Sequence, residues 1–146
     1  MPAYSFIDVQ ASISGPGGSF SLGNGAGPAK EGIEIEMNAD KDVMLIGADG
    51  TPMHSLIADK SGKIVVHLLK TSPANSQLSA LYDAQSLSAA TWGQNIITVT
   101  QSAAGDIHTA RSVAFTKRPN QKYAGEADTN AWEFHAGYID GVLGLY

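Results

Sequence analysis

Four histidines, two closely spaced glutamates and two glycine-rich stretches are the residues of this chain whose types could do chemistry. His54, His67, His108 and His135 are far apart, and none has a second His, Asp or Glu at zinc-ligand spacing on a helix. His67 and His135 fall in strand-like runs, where a hydrogen-bonded structural histidine accounts for them. Glu34 and Glu36 stand two apart, which on a strand turns both carboxylates to one face. Paired acids can serve glycoside hydrolysis, but plain alternation already explains a solvated strand face. The stretches GPGGSF (15–20) and GNGAGPAK (23–30) lack the Gly-x4-Gly-Lys-Ser/Thr of a phosphate loop. Neither gives Gly-x-Gly-x-x-Gly opening a helix, so both read as turns. No serine sits in a Gly-x-Ser-x-Gly elbow. The residues predict no catalytic site, no metal and no cofactor.

Bulk properties narrow the classes further. The chain has 146 residues and 43% hydrophobic content, which suits one globular domain over residues 1–146. A domain of this size buries roughly 68–70% of the surface its unfolded chain exposes, so it needs no staples. Cysteine is absent, which excludes disulfides and thiolate metal sites and fits a reducing compartment. No apolar run is long enough for a membrane-spanning helix, and MPAYSFIDVQ has neither the basic nor the apolar region of a secretory signal. Nine basic against 14 acidic residues give a net charge of −5. That opposes electrostatic capture of nucleic acid, although an acidic surface would let DNA pass without sticking.

The elements that must position these residues are mostly strands. The chain is organised around residues 63–85. Ile64, Val65, Val66, Leu68 and Leu69, interrupted only by His67, predict a strand covered on both faces. Thr71 and Ser72 are N-cap residues and Pro73 is pre-set for a first helical turn. Leu78, Leu81, Tyr82 and Gln85 then share one helical stripe, which predicts a helix over about 73–85. Residues 4–13 predict a first strand, and Phe20 and Leu22 a short second one. GIEIEM (32–37) alternates cleanly, with Ile33, Ile35 and Met37 toward a core and Glu34 and Glu36 away from it. Residues 43–46 and 53–58 predict strands on either side of Asp49-Gly50, a strong hairpin dipeptide. Residues 95–101, 107–117 and 131–139 predict three more strands. In the last, Trp132, Phe134, Ala136 and Tyr138 oppose Glu133 and His135. The closing GVLGLY is apolar, which predicts docking on this subunit or a neighbour. The sum is a mainly β fold, a sandwich or barrel of nine or ten short strands with one flanking helix.

A chain with exposed strand edges, an apolar closing segment and no catalytic signature favours assembly over catalysis. Its residue order resembles the tail tube proteins of contractile-tailed bacteriophages. The resemblance lies in Tyr4–Val9, the Ile13–Gly18 turn, Glu31–Met37, Ile46–Gly50, Leu68–Asn75, Trp92–Asn95 and Ile139–Tyr146. None is a catalytic motif, and the specificity lies in their joint order along nearly the whole chain.

The resemblance implies a structural, non-enzymatic protein of the virion, assembled in the bacterial host cytoplasm. It implies hexameric rings whose inner sheets join into one barrel and stack as a hollow tube inside a contractile sheath. Implied partners are further copies of the chain, the sheath, baseplate and terminator proteins, and the tape measure protein and DNA in the lumen. Under this resemblance Glu34 and Glu36 would face the lumen. Residues 38–55, with Asp40, Lys41, Asp42, Asp49 and Gly50, would contact the next ring. Val142, Leu143, Leu145 and Tyr146, in an apolar tail over 140–146, would meet another subunit. The same architecture serves tail-like bacteriocins and the type VI secretion tube. A monomeric β-sandwich that binds glycans through Trp92, Trp132 and Tyr138 is the rival class. Strand alternation disfavours it by burying Trp132 and Tyr138 with Phe134.

Overall fold

The computed structural model describes residues 2–146. Strands β1 (Val9–Gly15) and β2 (Gly18–Ser21) form a hairpin whose turn needs Gly17 at φ +105°. β3 (Pro28–Met37), β4 (Asp42–Ile46), β5 (Pro52–Leu56) and β6 (Gly62–Leu69) follow. Helix α1 (Pro73–Gln85) leads to β7 (Asn95–Gln101), β8 (Asp106–Lys117) and β9 (Thr129–Val142). Seven strands make one antiparallel sheet in the order β2-β1-β7-β8-β9-β6-β3, and β4-β5 stand apart as a separate hairpin. The large sheet curls into a half-barrel.

α1 carries the chain from β6 to β7 with β8 and β9 between them, so it crosses the concave side of the sheet. Its start is built as the sequence predicts. Ser72 is the N-cap and its Oγ accepts the Ala74 N–H at 3.2 Å, while Pro73 opens the first turn. The same Ser72 hydroxyl donates to the Ala26 carbonyl, which ties the helix start to the loop before β3. Ala74, Leu78, Leu81 and Gln85 are the buried stripe. Ala74, Leu78 and Leu81 join a core that holds an aromatic cluster centred on Phe115, which lies 4.9 Å from Phe134 and 5.5 Å from Tyr82, ring centre to ring centre. Trp132 is buried there, and its indole N–H donates to Asn75 Oδ1 at 3.0 Å. Each such buried side chain contributes on the order of 1.5–3 kcal/mol. At the helix end Gln85 and Asn95, both buried, exchange two amide hydrogen bonds of 2.7 and 2.8 Å.

Several expectations need correction. Residues 6–8 form a 3-10 turn capped by Ser5, and the strand begins only at Val9. The two faces of the apolar run of β6 are covered differently, although Val65 is itself buried, at 9% exposure. Ile64, Val66 and Leu68 join the core, whereas Val65 lies on the opposite face between its cross-strand partners Glu34 and Glu133. Tyr138 is 50% exposed rather than buried with Trp132 and Phe134. The cause is a bulge. β8 takes three steps from Ala110 to Val113 while β7 takes two from Asn95 to Ile97. Ser112 absorbs the extra residue at φ +52°. Burial parity therefore flips, so that Ala110 and Val113 both point inward, with Ile139 and Ala136 opposite them on β9. Trp132 being buried and Tyr138 being on the other face, the aromatic platform of a glycan-binding module is not assembled.

Candidate functional site

Among the described residues no group of three or more His, Cys, Asp or Glu could hold a metal ion. No helix of the structure is long and apolar enough to cross a membrane. The surfaces with a distinct chemistry are three: the open face of the sheet, the separate hairpin, and a groove beside the closing segment.

The open face is the side of the sheet away from α1. Register places Glu34, Val65 and Glu133 in one cross-strand row, and Glu36, Lys63, His135 and Ala114 in the next. Lys63 Nζ lies 4.0 Å from Glu36 Oε2, with both side chains in water, so this pair adds little stability. Glu34 and Glu36 thus share a face, as their spacing predicts. Glu133, Lys63 and His135 join them, and only strand pairing could show that. On the other side of β3, Ile33 and Ile35 are half-buried, but Met37 is 45% exposed. It lines a groove instead of filling a core.

The hairpin β4-β5 is the most exposed element. Val43, Met44, Leu45, Ile46, Met53 and Leu56 are all exposed, Leu56 to 85%. Val43 and Leu45 share one face with Met53, and Met44 and Ile46 share the other with Pro52 and Leu56. Both faces are therefore apolar and bare. Two strands alone are marginal in water, and local polar bonds hold these in place. Asp42 carboxylate oxygens meet His54 Nδ1 at 3.0 and 3.2 Å. At the tip the Thr51 hydroxyl and N–H hold the Asp49 carboxyl below its usual range, and Gly50 takes φ +88°. Lys41 Nζ donates to the Ile57 carbonyl at 3.0 Å at the base, next to Asp40.

The groove, of about 750 Å³, is the part of the concave side that α1 does not fill. Ile33, Ile35 and Met37 form one wall and Val99 and His108 the other, with Phe6 at the N-terminal side. The closing segment borders it. Gly144 N–H and Tyr146 O–H both donate to the Asp106 carboxylate, at 2.5 and 2.8 Å. Tyr146 also rests against Tyr4, with ring centres 6.4 Å apart. The segment thus docks on its own subunit through backbone and Tyr146, while Val142, Leu143 and Leu145 stay exposed.

A seven-stranded half-barrel with one crossing helix and a projecting hairpin can be compared with known proteins. The family model of the bacteriophage PhiTE tail tube protein matches residues 1–144. The chain belongs to this tail tube family. No curated protein sequence matches it. Among solved structures, a chain of the anti-feeding prophage baseplate is 12% identical at a TM-score of 0.64, over 97% of this chain and 96% of that one. A chain from the sheath/tube terminator of an extracellular contractile injection system is 11% identical at 0.62, over 97% and 98%. A chain from the tail of an empty GTA particle is 17% identical at 0.57, over 99% of each. At these identities the likeness is one of fold. It extends over nearly the whole chain.

Proposed function

We propose that this protein builds the inner tube of a contractile phage tail, as hexameric rings stacked into a hollow conduit for DNA. The role is structural, and the protein resides in the tail of the particle after assembly in the host cytoplasm. The observation that carries this reading is the β4-β5 hairpin, apolar on both faces and bare within its own chain. Apolar surface of this kind marks an interaction site, and a family of tube proteins supplies the partner: another copy. The free edges of β2 and β3 support ring closure in the same way, since unpaired edges take up strands of a neighbour.

In this reading residues 38–55 reach the adjacent ring, with Asp40, Lys41, Asp42, Asp49 and Gly50 at the base and tip of the contact. Glu34 and Glu36 line the lumen. Val142, Leu143, Leu145 and Tyr146 meet another subunit. Sheath, baseplate and terminator proteins bound the tube, and tape measure protein and DNA occupy it in turn. A second reading is the tube of a headless contractile injection system, since chains of such a system share this fold.

Negative-stain electron microscopy of the purified protein over a concentration series tests the assembly. Rings or hollow tubes of uniform width are expected. Only small particles at every concentration, and also with tail fragments added as nuclei, would overturn it. Whether particles that contain the chain carry a DNA-filled head separates the two readings.

A further inference from the structure

The closing segment has its backbone held and its apolar side chains free, which is the reverse of an ordinary docked terminus. Residues 144, 145 and 146 each bond to the β7–β8 connection or the residue that follows it. Gly144 N–H goes to Asp106 Oδ1, Leu145 N–H to the Ala104 carbonyl at 3.0 Å, and Tyr146 O–H to Asp106 Oδ2. A Cβ at Gly144 would overlap the Ala104 carbonyl, so the close approach requires glycine there. Meanwhile Leu143 and Leu145 are 78% and 89% exposed. They extend an apolar surface that begins at the cross-strand pair Ile107 and Val142, both exposed.

We propose that Asp106 is a positioning residue for assembly, buckling the closing segment to the β7–β8 turn so that Leu143 and Leu145 are presented in one fixed pose to a second copy of the chain. This rests on the reading of Val142–Tyr146 as a subunit contact and deepens it. The physical reason is preorganisation. The conformational entropy of ordering the segment is lost when the subunit folds, not when two subunits meet. The carboxylate suits this task because it offers two acceptor oxygens to two donors from one strap.

The buckle has a pH signature. The Gly144 N–H, then the Tyr146 hydroxyl, hold the Asp106 carboxyl below its usual range, and Asp106 in turn holds the Tyr146 phenol above its own. Of the other titratable groups, His108 stands on its own strand, Tyr4 lies beside Tyr146, Lys30 and Glu31 of β3 line the same groove, and the turn residues 102–105 bring no charge. A depressed value means that the closed strap is favoured above the usual carboxylate range. That preference is lost as pH falls through the lowered value.

Three full-length-derived proteins test the proposal: Asp106→Ala, Gly144→Ala, and a chain ended after Val142. Critical concentration for tube formation is measured by sedimentation. Amide exchange and the pH dependence of the Gly144 amide are measured by NMR on unassembled protein. Both substitutions are expected to raise the critical concentration about ten-fold, the scale of a short segment that must order at the encounter. Both are expected to expose the Leu145 amide to exchange. In the parent protein the Gly144 amide shift follows Asp106 protonation, and in Asp106→Ala it does not. Unchanged protection of Leu145 in both variants would overturn the buckle. So would a truncation that blocks tubes while both substitutions assemble normally. A truncation that itself assembles normally overturns the subunit-contact reading and the proposal with it.

Discussion

Single residues in this fold carry weight where a buried polar group depends on few partners. Gln85 closes the apolar stripe of α1, and its amide is matched by Asn95 in both directions, with a further bond from Gln85 Nε2 to the Pro16 carbonyl at 3.1 Å. Removing one member strands the other without water. Asn95→Leu is expected to lower unfolding free energy by about 2 kcal/mol, the cost of an unsatisfied buried amide. The Gln85→Leu, Asn95→Leu double variant should cost less than the sum of the two single changes. Urea titration followed by circular dichroism reads both, and additive losses would show that the pair is not coupled. Ser72→Ala should cost about 1 kcal/mol, because it removes the N-cap of α1, and its lost bond to Ala26 adds to that. The cap was legible in the sequence because Thr-Ser-Pro is a local signal. The Gln85–Asn95 pair was not, because a glutamine on an apolar stripe names no partner until β7 is placed beside it.

At the scale of elements, alternation was a good guide wherever a strand stayed regular. It placed Glu34 and Glu36 together and Trp132 with Phe134, while the Asp-Gly dipeptide placed the turn at Asp49-Gly50 between two strands. It failed where geometry changed within a strand. The Ser112 bulge turns Tyr138 outward, and nothing local in RSVAF announces a residue at positive φ. Met37 continues the alternation of β3, yet its side faces a groove because α1 lies at the other end of the strands, between Ala26 and Asn95, while Met37 pairs with Gly62. Ser112→Gly should be neutral or stabilising by a few tenths of a kcal/mol, whereas Ser112→Val should cost on the order of 1–3 kcal/mol through left-handed backbone strain. Thermal unfolding of the two variants decides it, and equal stabilities would show that the bulge relocates. The hairpin calls for a different measurement, since its side chains bury nothing in the subunit. Leu45→Asp with Met53→Asp places charge on one bare face. Such a protein should unfold at the parent temperature and form no tubes by electron microscopy. Normal tubes would remove the hairpin from the inter-ring contact.

For the whole molecule, the sheet has two sides with opposite chemistry. The concave side holds α1 and the aromatic cluster, while the open side carries Glu34, Glu36 and Glu133 with Lys63 and His135. If that open side lines the tube, DNA meets a row of carboxylates in every subunit. Like charge keeps phosphate from binding to the wall, which suits a conduit that must release its cargo. Glu34→Lys with Glu36→Lys changes each subunit by four charge units, from a net −5 to −1. Both side chains are exposed, Glu34 opposite Val65 and Glu36 opposite Lys63, so the fold should tolerate the change within about 1 kcal/mol. Assembled variant tubes should then retain duplex DNA at low salt and release it as salt rises, with a steep dependence on concentration from counterion release. Parent tubes should retain none at any salt. Nuclease protection of DNA mixed with pre-formed tubes does not test the lumen, because entry at the ends is slow. The informative experiment loads DNA from phage heads joined to variant tails and counts ejected genomes. Slowed or arrested ejection, relieved by salt, places Glu34 and Glu36 on the DNA path. Parent-rate ejection through fully assembled variant tails would put that face of the sheet on the outside, against the sheath or a neighbouring subunit.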